Sequence, residues 1–255
     1  MGKDYTSKNR ALEEVLKKKD LFSNTSAPWQ QKILDNLISS IITKQSDRCL
    51  DAACGIGNNI ETLLYYFNKV EAFDKSTNAV KFAKDYYHAK ENSVEINVGS
   101  LEAIHFNDNH FDVVICTEAL EHINDVKKVV NELVRVTKPG GHIIISFQNH
   151  FNLSALLKFI FEVIFKKNWD VWGTHRHEEG YENYLTCFKV KQITRGLGCV
   201  SVKEIGADYI NAWLSWLPFI YKNYKLLDKH PVLFLGRLPV LKYLGMDYFM
   251  IIKKP

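Results

Sequence analysis

The chain has 255 residues, and 33 basic against 29 acidic side chains leave a formal charge of +4. With 46% apolar and 24% charged residues it has a globular composition, which excludes disordered and fibrous classes. The length fits one large domain or a domain with an appended subdomain, and the small charge offers no concentrated basic face for nucleic acid. The first 27 residues are polar and lack the apolar stretch of a secretory signal, so residues 1–45 read as a leader or lid. Pro28 suits the first turn of a helix with Ser26 as its cap, and Trp29, Ile33, Leu37, Ile38 and Ile41 recur on one face. From about residue 48 strands and helices alternate. A short strand ends at Asp51, and a Gly-rich turn opens a helix carrying Ile60, Leu63, Leu64 and Phe67. Lys69 to Phe73 is a second strand, closed by Asp74, and a helix through Ala79, Val80 and Ala83 follows it. Val94 to Val98 and Phe111 to Cys116 are the third and fourth strands. Val126, Val129, Val130, Leu133 and Val134 have helical spacing until Lys138-Pro139-Gly140-Gly141 stops them, and His142 to Phe147 is the fifth strand.

Beyond residue 148 the pattern loosens. Phe151 to Phe165 is helix-like, a helix from about 186 ends at Gly196, and Val200 to Ile205 and Tyr248 to Lys253 are strand candidates around an aromatic insertion. Alternating strands and helices predict an α/β fold with a doubly wound parallel sheet. The chain divides into the leader 1–45, a ligand-binding core 46–150, and a region 151–255 that caps the substrate and supplies the last strands. No segment offers the roughly 18 uninterrupted apolar residues of a membrane span. Cys49, Cys54, Cys116, Cys187 and Cys199 are odd in number and contain no C-x-x-C pair. That pattern argues against a zinc knuckle or disulfide framework and for a reducing, cytoplasmic home.

Chemistry concentrates at Leu50-Asp51-Ala52-Ala53-Cys54-Gly55-Ile56-Gly57-Asn58-Asn59, where a strand turns into a helix. Open α/β sheets bind ligands at the carboxyl ends of their strands, and glycine lets a ligand approach the backbone. Asp74 ends the next strand 17 residues after Gly57, a spacing that suits a carboxylate on ribose hydroxyls. Two ligand classes fit this arrangement. A nicotinamide dehydrogenase, NAD(P)-dependent, needs a third glycine at position 60, which is Ile60.

The run Arg48 to Ser146 resembles the class I methyltransferases that use S-adenosylmethionine (SAM), of the quinone-biosynthesis-like type. Asn107 to Val114, Glu118-Ala119-Leu120-Glu121-His122-Ile123 and Arg135-Val136-Thr137-Lys138-Pro139-Gly140-Gly141 carry the likeness together with the glycine turn. The resemblance implies a Rossmann-like seven-stranded sheet whose last strand is antiparallel. It implies that Gly55, Gly57 and the backbone near Ala53 line the methionine end of SAM, and that Asp51 orients its ammonium. Asp74 would hold the ribose with Lys75 beside it, Ser100 and Leu101 would face the adenine, and Thr117 would lie at the pocket mouth. Two departures stand out: Ala53 where many members have glycine, and Ser100 where an aspartate commonly meets the adenine. Glu121 and His122 belong to the scaffold in this comparison.

Methyl transfer needs alignment first and a general base only for an acceptor that keeps its proton. The candidate bases are His150, just past the fifth strand, and His177 and Tyr181 in the polar loop after it. His175 and His177 alone do not make a metal site, and none is expected. Trp169, Trp172, Trp213 and Trp216, with Phe219, Tyr221 and Tyr224, line an apolar acceptor pocket or simply pack a cap. Lys222, Lys225, Lys229 and Lys242 beside them allow peripheral contact with a membrane surface. The expected activity is methyl transfer to a small or lipid-like acceptor, most readily at oxygen. A NAD(P)-dependent oxidoreductase and a non-catalytic SAM-binding module are the rivals.

Overall fold

The structure is a computed structural model that describes residues 28–42, 46–89, 94–152, 184–209 and 236–255. The expected leader before Pro28, His177, Tyr181 and the four tryptophans of the aromatic region lie outside the described residues. Helix α1 (Pro28–Ile41) starts at the proline, as its missing N–H and fixed φ allow. Strand β1 (Ser46–Ala52), helix α2 (Ile60–Tyr66), strand β2 (Phe67–Asp74), helix α3 (Thr77–Ala89) and strand β3 (Glu95–Val98) follow. Next come strand β4 (Phe111–Thr117), a 3-10 turn at Leu120–His122, helix α4 (Val126–Val136) and strand β5 (Thr137–Gln148). The last elements are helix α5 (Cys187–Gly196), strand β6 (Val200–Ala207), a 3-10 turn at Leu241–Leu244 and strand β7 (Asp247–Lys253).

The seven strands form one sheet in the order β3-β2-β1-β4-β5-β7-β6. Pairing is parallel for β1 with β2, β1 with β4 and β2 with β3, and antiparallel for β6 with β7. The order reverses between β1 and β4, the crevice where such sheets take their ligands. Val113, Val114, Ile115 and Cys116 of β4 are buried in succession, as a central strand covered on both faces requires. Helix α4 buries Val126, Val129, Val130, Leu133 and Val136, and exposes Lys127, Lys128 and Asn131.

Two boundaries differ from the sequence reading. Phe67 opens β2 instead of closing the helix, because its N–H makes the last helical bond to Leu63 while its own backbone is extended. Strand β5 begins at Thr137 and takes in Lys138–Gly141, with Gly140 at a φ of 75°.

The chain divides into two compact units, residues 1–116 with 132–142, and residues 117–131 with 143–255. In the first, Cys54, Ile60, Ala72, Val80, Ala83, Tyr86, Tyr87 and Ile96 form a core cluster under the glycine turn. In the second, Asn149 ties three segments together. Its Nδ2 donates to Tyr243 O (2.9 Å) and Gly245 O (3.0 Å), and its Oδ1 accepts from Cys187 N (3.1 Å).

Candidate functional site

The first unit builds a cradle from the ends of β1 and β2. Cys54 N donates to Phe73 O (2.9 Å), and Gly55 N donates to Asp74 Oδ2 (2.8 Å). Asp74 Oδ1 accepts from Ser76 N (2.8 Å). Each Asp74 oxygen therefore holds one backbone N–H and keeps a further lone pair for a ligand hydroxyl. Gly55 has a φ of 53°, and a Cβ built there meets nothing within 4 Å. That side of the turn is open.

Gly57 serves another end. At a φ of 85° its added Cβ would sit 2.8 Å from Tyr87 Cε2 and 3.1 Å from Ile60 Cδ1. The Tyr87 hydroxyl donates to Gly57 O (2.7 Å), so this glycine lets the turn close onto α3. Ile60 is itself fully buried, filling the position where a dinucleotide site would carry its third glycine.

Asp51 is the anomaly of the site. It is fully buried, and neither carboxylate oxygen has a hydrogen-bond partner. Burial pushes its pKa up to about 7, the Asn59 amide pulls it down without closing a hydrogen bond, and the Asp74 charge pushes it up further. An orphaned buried carboxyl is costly unless a ligand completes it. A primary ammonium is the matching group, with three donors and the opposite charge. The donor set therefore fits SAM: an acid for the ammonium, an open glycine for close approach, and an acid for the ribose.

Ala53, between Asp51 and the open glycine, has a φ of 65°. It thus sits in the left-handed region that favours glycine. Lys75 is exposed beside Asp74. Ser100 and Leu101 follow β3 in a tight turn, where Ser100 bridges Ala103 and its Oγ accepts from Glu102 N (3.2 Å). Leu101 is buried and Ser100 exposed. Asp51, Ala53, Gly55, Gly57, Asp74, Lys75, Ser100 and Leu101 all lie in the first unit.

In the second unit Thr117 ends β4, half-buried, and His150 follows the end of β5 by two residues. His150 Nδ1 lies 3.1 Å from Leu185 N and 3.2 Å from Leu185 O, and accepts from the one or donates to the other according to its tautomer. His122 is exposed and Glu121 buried. Among the described residues no group of three or more His, Cys, Asp and Glu is placed to hold a metal ion.

Sequence reasoning passed over Glu118, where no local signal announces the geometry. This residue has a φ of 50° immediately after β4, and Ser146 Oγ donates to its Oε1 (2.6 Å). Burial raises its pKa above the ordinary carboxylate value, with the Ser146 hydrogen bond working against the rise.

The family profile described as a methyltransferase domain matches residues 50–145. The ubiquinone biosynthesis O-methyltransferase of Cupriavidus pinatubonensis is 29% identical over 175 residues, 68% of this chain and 68% of that protein. The norajmaline N-methyltransferase of Rauvolfia serpentina is 31% identical over 115 residues, 44% of this chain and only 39% of that protein. Among solved structures, an S-adenosylmethionine-dependent methyltransferase of Mesorhizobium loti matches with a TM-score of 0.57 at 12% identity. The match covers 86% of this chain and 96% of that one, a likeness of fold.

Proposed function

We propose that this chain, a member of the class I SAM-dependent methyltransferases, moves a methyl group to a small or lipid-like apolar acceptor at oxygen. The observation that carries the reading is the buried, unpartnered Asp51 carboxyl beside the open side of Gly55. The choice of oxygen is supported by the name of the Cupriavidus relative, while the Rauvolfia relative is named for transfer to nitrogen.

Bound SAM supplies an electrophilic methyl on a sulfonium, whose thioether is an excellent leaving group. The chain's own residues then have two tasks, binding and alignment. Asp51, as its anion, takes the ammonium, and the region of Ala53 and Gly55 accommodates the methionine chain. Gly57 shapes the turn against Tyr87. Asp74 takes the ribose hydroxyls with Lys75 at its side, Ser100 and Leu101 meet the adenine, and Thr117 stands at the mouth. Holding both reactants in line at near-attack distance supplies most of the acceleration such a displacement needs. His150, His177 and Tyr181 are the sequence candidates for contact with the acceptor.

The acceptor reading leans on the aromatic residues beyond 168, and peripheral membrane contact would suit a lipid-like acceptor. Among the described residues no helix is long and apolar enough to cross a membrane. The five cysteines are free and buried, which supports a reducing, cytoplasmic location.

Calorimetry with SAM, its demethylated product and NAD tests the reading. SAM and the product are expected to bind and NAD not to, since buried Ile60 closes the turn a pyrophosphate would use. Tighter binding of NAD would establish the oxidoreductase instead. In the same assay Asp74→Ala is expected to weaken SAM by at least about 1.5 kcal/mol, the worth of a hydrogen bond to a charged group. Incubating the enzyme, SAM and a cell extract then separates an enzyme from a binding module. An enzyme leaves products heavier by one methyl group.

A further inference from the structure

We infer that strand β3 is a pairing edge for a second copy of this chain, joined across a two-fold axis at Asn97 into one continuous sheet. Strand β3 (Glu95–Val98) ends the sheet, with β2 on one side of it. Every residue that carries this inference lies in the first compact unit.

The register fixes which backbone groups face outward. Asp74 lies opposite Val98, and Gly99 N donates to Asp74 O (3.0 Å). In a parallel ladder of this phase Glu95, Asn97 and Gly99 turn their peptide groups toward β2. Ile96 and Val98 turn theirs away from it, two N–H donors and two C=O acceptors, and no described residue pairs with them. Strand β3 also carries no proline, lysine or bulge, the devices that keep a sheet edge from pairing.

The edge is its own complement, as a two-fold contact requires. In an antiparallel pair centred on Asn97, Ile96 of each copy stands opposite Val98 of the other. Both pairs exchange N–H and C=O bonds, and Asn97 faces Asn97 at the close, non-bonded position between them. With the axis at Val98 instead, Ile96 would need Ser100 O, which already accepts from Ala103 N (3.3 Å) in its own turn. A residue on the axis meets its own copy. Two amides can each donate and accept, whereas two like charges there repel. One amide N–H of Asn97 reaches Glu95 Oε1 (3.4 Å), which leaves the other and the carbonyl for the copy.

The α3 side of the edge has the same self-match. Ile96 is buried with Val80, Ala83 and Tyr87 of α3, so by strand alternation Val98 stands on that side, where it is 54% exposed. Pairing gives each Val98 an Ile96 as its cross-strand neighbour. An open groove of about 520 Å³ lies between α3 and β3, with Lys84 and Asp85 adjacent on its wall. A cation beside an anion complements the same pair on a copy turned about the axis, while a wall of one sign calls for a different partner.

The test is the mass of the full chain in solution, measured by light scattering. Wild type is expected at twice the chain mass at about 500 µM and at the chain mass at about 5 µM, as suits a small interface. Val98→Pro removes an outward N–H and spares the ladder to β2, which runs through Asn97 and Gly99. It is expected to unfold near the wild-type urea concentration and to stay monomeric. Asn97→Asp and Asn97→Lys each place like charges on the axis and are expected to be monomeric alone. An equal mixture of the two is expected to recover the dimer. Asn97→Cys under mild oxidation is expected to link two chains, since non-bonded partners sit about 4.5 Å apart at Cα, within reach of a disulfide. The five native cysteines are buried, and wild type is the control. Wild type at the chain mass at about 500 µM overturns the inference. So does a wild-type dimer that Val98→Pro and both charged variants leave intact, which places the contact on another face. A dimer lost in the charged variants and not recovered on mixing overturns the axis at Asn97.

Discussion

Asp51 and Ala53 each sacrifice stability within three residues of the turn. For Asp51 the sacrifice depends on pH. Its carboxyl is raised from 3.8 to about 7, so between those values the folded chain holds a proton that the unfolded chain has lost. Stability therefore falls as pH rises through that window. At about 1.4 kcal/mol per unit, the cost at pH 8 is several kcal/mol. Asp51→Asn is expected to unfold at higher urea than wild type at pH 8 and at about the same urea at pH 4. The same variant binds SAM more weakly, because the ammonium loses its counter-charge. Calorimetry on the wild type should show the complement: SAM binding about tenfold weaker at pH 5.5 than at pH 7.5, with proton release at the lower pH. Equal affinity at both would remove Asp51 from the ammonium. Ala53 carries backbone strain at a φ of 65°. Ala53→Gly relieves about 1–2 kcal/mol of left-handed strain and loses about 0.5–1 kcal/mol to the freer unfolded chain. A net gain of up to about 1.5 kcal/mol in urea unfolding is expected.

At the scale of elements, α4 works as a clamp on the loop that follows β3. Arg135 uses its whole fork: Nη1 donates to Phe106 O (2.8 Å) and Asp108 Oδ1 (2.7 Å), Nη2 to Ile104 O (2.8 Å), and Nε to Glu132 Oε1 (2.8 Å). Glu132 Oε2 in turn accepts from Ile104 N (2.8 Å), so both peptide groups of Ile104 are held. That residue lies four positions past Ser100, and the clamp fixes the exit of the turn assigned to adenine. Arg135→Ala is expected to cost about 1–3 kcal/mol in stability, given its partial exposure, and to weaken SAM severalfold. Arg135→Lys recovers only part of this, since an ammonium cannot reproduce the fork. A folded Arg135→Ala protein with unchanged SAM affinity would reduce the clamp to scaffolding. None of this was legible in the sequence, where Arg135 is 27 to 31 positions from its loop partners. The element order was legible because hydrophobic period changes at each boundary with turn residues between. The exceptions have local causes. Phe67 is buried at helical spacing from the buried Ile60 and Leu63, and no breaker separates it from the helix. Lys138 to Gly141 looked like a stop, yet a positive φ at Gly140 lets the strand absorb it. Asp51 and Asp74 could be picked out because strand ends are marked by composition. Glu118 could not, since a left-handed glutamate depends on Ser146, 28 positions away.

For the whole molecule, the residues proposed to hold SAM fall in the first unit, apart from Thr117, which lies with Glu118 in the second. SAM bound at the proposed cradle of the first unit adds a stabilising free energy that follows mass action. At 100 times its dissociation constant a ligand contributes about 2.7 kcal/mol, provided the unfolded chain does not bind it. In a chain of this size each kcal/mol raises the melting temperature by about 2–4 °C. Saturating SAM is therefore expected to raise Tm by about 5–10 °C, and NAD at the same concentration to leave it unchanged. Hydrogen exchange locates the gain. Amides that border the proposed cradle, at residues 51–57, 74–76 and 99–104, should become protected. Asp74→Ala should lose the Tm shift and the protection together, because both flow from one binding event. Protection at the cradle without a shift in Tm would mean that the first unit is not the one whose opening limits unfolding. A shift with no protection there would place SAM elsewhere on the chain and remove Asp51 and Asp74 from the site.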